Sequence, residues 1–80
     1  PSIDFNTFVL SLGTSALAEL NDQSNEPNVM SLALVKQTID ILGMLEEKTK
    51  GNLTGAEERL LAQLLVDLRV RYVRAASLHG

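Results

Sequence analysis

Between Asp4 and Glu19 the chain carries no ionisable side chain. Within that stretch and just past it, Phe5, Phe8, Val9, Leu12, Ala16 and Leu20 recur at the spacing of one helix face. Leu10 and Leu17 add a second stripe. What remains, Thr7, Ser11, Thr14, Ser15 and Ala18, is small and weakly polar. A helix without a charged face normally has protein all round it. The first element is therefore expected to be a helix over about 5–20 that other helices, or another chain, must enclose. Asp4 can start it, since a carboxylate there accepts from the free N–H groups of the first turn.

The stretch Asn21 to Asn28 is polar, contains Pro27 and reads as a loop, about 21–29. A second helix is expected over about 31–50, capped by Asn28 or Ser31. Leu32, Val35, Ile39, Leu42 and Leu45 make its main face, and Leu34, Ile41 and Met44 widen the apolar arc beyond half a turn. Lys36, Asp40 and Glu47 lie on the other side, and Lys48 and Lys50 complement the carbonyl end of the helix dipole. Gly51 suits the left-handed residue that ends such a helix. Thr54-Gly55-Ala56-Glu57 is a capping box, so a third helix is expected over about 55–76. Leu61, Leu64, Leu65, Leu68, Tyr72 and Ala75 form its main stripe. Ala62, Val66, Val70 and Val73 form another. The short corner at Gly51 requires these two helices to run antiparallel, as a hairpin.

These elements fill a single domain, 1–80, whose small size limits the core it can bury. No cysteine is present, so neither a disulfide nor a thiolate metal site can support that core. The lack of cysteine suits a reducing compartment, and a cytoplasmic location is expected. No run approaches the length of a membrane span, and no charged leader precedes an apolar stretch, so neither a span nor a signal peptide is expected. The chain opens at Pro1 rather than Met, which leaves room for residues upstream. A net charge of −3 gives no general attraction to nucleic acid or anionic lipid.

The corner reads Gln37-Thr38-Ile39-Asp40-Ile41-Leu42-Gly43-Met44-Leu45-Glu46-Glu47-Lys48-Thr49-Lys50-Gly51-Asn52-Leu53-Thr54. With Phe8-Val9-Leu10-Ser11-Leu12, Ser15-Ala16-Leu17, Glu57-Glu58-Arg59-Leu60-Leu61 and Leu68-Arg69-Val70-Arg71-Tyr72-Val73, it resembles a bacterial family of short helical proteins catalogued as domain of unknown function 1844. The resemblance spans nearly the whole chain. Gly43 stands where a charged residue is common in the family, and Gly55-Ala56 where Pro or acidic residues are. The resemblance implies the helical fold and brings no activity or catalytic residue with it.

Chemistry-bearing residues have simpler explanations. His79 is the only histidine, near a terminus expected to fray, with no second ligand to join. Asp40 follows Lys36 by one turn and can share a weak ion pair with it. Glu46, Glu47, Glu57 and Glu58 gather at the corner, but Glu57 is needed for the cap and Lys48 and Lys50 oppose the charge. Arg69, Arg71 and Arg74 make a basic helix end, explained by the dipole and by Asp67–Arg71 pairing. Asn52-Leu53-Thr54 fits a glycosylation acceptor, though turn and cap account for both polar residues. Ser11, Thr14 and Ser15 have no base nearby in sequence to activate them.

The sequence thus predicts an all-α fold, one helix packed on an antiparallel helical hairpin and completed by oligomerisation. No catalysis, metal, cofactor or small-molecule substrate is expected. The expected role is a helical self-association or protein-interaction module, a homo-oligomer with the dimer favoured, or the binder of an obligate protein partner. The alternatives are a nucleic-acid-associated factor using the arginines and an accessory subunit of a larger enzyme. Thr7, Ser11, Thr14, Ser15 and Ala18 are the expected interface on the first helix, where Ser11, Ser15 and Ala18 would let a neighbour approach closely. Leu34, Ile41 and Met44 are expected to contribute from the second helix, and Val66, Val70 and Val73 from the third. Asp4, Gly51, Thr54 and Glu57 are expected to be structural caps.

Overall fold

A computed structural model of the protein describes residues 4–20 and 29–79, with Val29, Leu78 and His79 described by their backbone alone. Among these residues are three helices, α1 (Phe5–Leu20), α2 (Val29–Lys48) and α3 (Gly55–His79), each packed on the other two. The expected loop, with Pro27 and the Asn28 cap, lies outside the described residues.

The core is where the three main stripes meet. Val9 and Ala16 from α1, Val35, Ile39 and Leu42 from α2, and Leu61, Leu65 and Leu68 from α3 form one buried cluster. Phe5, Leu12, Leu17, Leu20, Leu45, Leu53, Leu64 and Tyr72 pack around it. Leu32 and Ala75 are also buried, and among the described residues no polar or charged side chain is.

Phe8 departs from expectation: it is 45% exposed rather than in the core. Consecutive helical residues point ~100° apart. Val9 takes the centre of the buried face, in line with Phe5, Leu12 and Ala16, and Phe8 is turned aside. The second helix starts at Val29 and ends at Lys48, two residues earlier at each end than the sequence suggests. Its first turn must already be formed to bring Leu32 onto the core, so Ser31 sits inside the helix and is not its cap. The third helix runs past residue 76 to His79, three residues further than the sequence suggests.

The corner is built by local hydrogen bonds. The Thr49 N–H and hydroxyl both donate to the Leu45 carbonyl, at 2.9 and 2.6 Å. The next amide, Lys50, reaches back only three residues to Glu47, at 3.4 Å. That tightening ends α2, and Gly51 follows in the left-handed region with φ 85°. The Asn52 N–H donates to the Thr49 carbonyl at 2.8 Å. Thr54 and Glu57 then cap α3 reciprocally: Glu57 N–H donates to Thr54 Oγ1 at 3.1 Å, and Thr54 N–H to Glu57 Oε1 at 2.8 Å. Thr54→Ala is expected to cost ~1 kcal/mol. It should lower the melting temperature and leave partner binding unchanged in the refolded chain. Lost binding at unchanged stability would make the corner a functional site instead.

Candidate protein-interaction surfaces

Two surfaces gather apolar side chains of α2 and α3 that the core leaves over, while Phe8, Leu10 and Met30 are exposed apart from them. The first is a groove of ≈190 Å³ between α1 and α2. Ser15, Ala16 and Glu19 line it from α1, and Leu34, Gln37, Thr38 and Ile41 from α2. Leu34 is 47% exposed, while Ile41 is half-buried in the groove floor. Met44, 51% exposed, lies one turn along α2 from Ile41.

The second surface is the outer side of α3. Val66, Val70 and Val73 are 60%, 46% and 61% exposed there. Ala62, Gln63, Val66, Asp67 and Val70 line a shallow trough of ≈430 Å³ alongside them. Because all three helices pack pairwise, the α1–α2 groove faces away from α3, and the outer side of α3 faces away from α1 and α2. Of the expected interface residues, Ser15, Leu34 and Ile41 are therefore brought together. The three valines form a separate patch on the far side.

The remaining α1 candidates are exposed, and several of their polar groups are occupied locally. The Ser11 hydroxyl donates to the Thr7 carbonyl at 3.0 Å, and that of Thr14 to the Leu10 carbonyl at 2.6 Å. Thr7 N–H donates to Asp4 Oδ1 at 2.7 Å, the expected cap, and this bond holds the Asp4 carboxyl below its ordinary pKa. Ser15 and Ala18 are exposed as well. The larger apolar groups on the exposed part of α1 are Phe8 and Leu10, which the periodicity places on apolar stripes instead. Gly13 is another residue that periodicity does not single out: it is buried, and the Leu64 side chain of α3 fills the space where a Cβ would be.

The charged residues stay dispersed. Lys36 and Asp40 pair at 3.0 Å on an exposed face, where the carboxylate holds the ammonium above its ordinary pKa. Arg71 pairs with Asp67 at 3.0 Å. Arg69 is turned onto α2, where its Nη2 would lie 3.6 Å from a Cβ at Gly43. The three arginines therefore do not form one stripe. Among the described residues, no three His, Asp or Glu side chains are placed to hold a metal ion, including those at the corner. No described helix is long and apolar enough to cross a membrane.

Comparison with known proteins gives one match, to a family model described as "Domain of unknown function (DUF1844)", over residues 2–74. No curated protein and no solved structure matches the chain.

Proposed function

We propose a binding role rather than a chemical one for this chain, which belongs to the family described as domain of unknown function (DUF1844). It is a non-catalytic helical module that acts by docking on protein, first of all on a second copy of itself. The observation that carries this reading is the set of large apolar side chains outside the core, with Leu34 and Met44 on one face and Val66, Val70 and Val73 on the other. Monomers seldom leave large contiguous apolar patches in water. Each of these side chains is about half exposed, so covering the rest contributes roughly half of the ~1.5–3 kcal/mol of a full burial, and several together outweigh the surface ion pairs. Twofold pairing is the commonest way to cover such a patch. The arginine-rich end supports nucleic-acid binding less well, because Arg69 and Arg71 are turned to different neighbours.

Sedimentation equilibrium of the chain at micromolar concentration tests this. The expected mass is twice that of the 8.7 kDa chain. A well-folded monomer would overturn self-association and leave a different protein as the occupant of these faces.

A further inference from the structure

We infer that the outer side of α3 is the surface on which the second copy docks, with the two α3 helices antiparallel and Val70 on the twofold axis. This rests on the self-association proposed above and goes beyond it by fixing the contact and its polarity.

A twofold contact must be complementary to itself. Ala62, Val66, Val70 and Val73 follow one another at steps of four, four and three residues, which keeps them in a nearly straight ridge along the helix. The valines are β-branched and already restricted to one main rotamer in a helix, so covering them loses little side-chain freedom. A perpendicular twofold through Val70 sets Val66 level with Val73 of the second copy to within one residue's rise, ~1.5 Å.

The same axis matches the charges. Asp67 and Arg74 are seven residues apart, close to two turns, so they lie on the same flank of the ridge. In an antiparallel pair, equal flanks face each other. Asp67 then falls beside Arg74 of the second copy, and Arg74 beside Asp67 of the second copy, again to within about one residue's rise. Asp67 Oδ1 holds Arg71, which leaves Oδ2 to accept from the neighbour. The trough beside the ridge lies on this flank, since Asp67 and Gln63 line it. Arg71, on this flank, would meet its own copy but is held by Asp67 of its own chain; Arg69, on the other flank, would also meet its own copy. Its guanidinium is instead turned aside onto α2 over Gly43, where no side chain obstructs it. Antiparallel helices also set their dipoles in opposition. The α1–α2 groove offers no comparable match, because Glu19 is the one charged residue in its lining.

The test uses the full chain and sedimentation equilibrium, with circular dichroism to check that each variant keeps its helicity. Val70→Arg should give a folded monomer, while Ser15→Arg, in the groove, should remain a dimer. Asp67→Arg alone and Arg74→Asp alone should each weaken the dimer by about tenfold, since like charges then face each other twice. Mixing these two variants should restore association as a heterodimer, because both cross-pairs are then opposite in sign. A dimer that survives Val70→Arg, or a mixture that associates no better than its components, overturns this contact while self-association stands. Dissociation by Ser15→Arg instead would move the contact to the groove. A monomeric unmodified chain overturns the contact and self-association together.

Discussion

Leu42→Ala should remove ~2–5 kcal/mol of stability, the range for emptying a fully buried leucine site. Leu42 has no exposed surface and sits where all three helices meet. Two terms add: the lost transfer of the leucine side chain out of water, and the cavity left when rigid neighbours fail to close over it. The residues clustered with Leu42 are all apolar, so their side chains offer a water in that cavity no partner. Natural domains hold roughly 0.05–0.15 kcal/mol per residue, so this single change removes a large share of the stability of an 80-residue chain. Urea denaturation at fixed protein concentration measures it. Leu34→Ala is the comparison, because Leu34 is half-exposed and should cost less than ~1 kcal/mol in the isolated chain. Equal losses at the two positions would mean that the core is not centred on Leu42.

Gly13→Leu should destabilise by ~1–3 kcal/mol, or more if α1 is lifted off α3. A Cβ at this position would lie 2.6 and 2.7 Å from the two methyl carbons of Leu64. Those atoms are the far end of a side chain that is only partly buried, so one methyl group can be admitted if Leu64 swings aside. Gly13→Ala should therefore be close to neutral, the displacement being offset by the ~1 kcal/mol that alanine gains over glycine inside a helix. A leucine has no such space, because Val9 and Ala16 on the same face are already in full contact. Thermal unfolding of the two variants side by side reads the difference. Two equally stable variants would show that α1 and α3 do not approach closely here.

Much of the fold was legible because it follows from rules that act over a few residues. The Asp4 cap, the left-handed Gly51 and the Thr54–Glu57 box each need only one turn of chain, and each has the geometry its residues imply. The leucine stripes of α2 and α3 were legible for the same reason. Phe8 was not: spacing alone admits two arcs on α1, and only packing decides that Val9 takes the centre. Gly13 left a trace in the sequence, a glycine inside a helical pattern, which costs stability unless something packs close. The surfaces were half legible. Periodicity gives the direction of a side chain about its own helix axis and says nothing about which neighbour covers it. That is why Ser15, Leu34 and Ile41 meet in one groove while the valines of α3 lie on the opposite side.

The self-sufficiency of the corner has a consequence for the order of events in folding. Residues 49–54 join two helices whose inner faces meet over a short separation in sequence, so closing this loop costs little chain entropy. Contacts of that kind form early, whereas α1 must be brought in across a longer connection. The α2–α3 hairpin should therefore be largely assembled at the rate-limiting barrier, with α1 docking later. Thr54→Ala would then slow refolding by nearly its whole effect on stability and leave the unfolding rate almost unchanged. Stopped-flow kinetics in urea measures both rates, and an effect confined to unfolding would mean that the corner closes last.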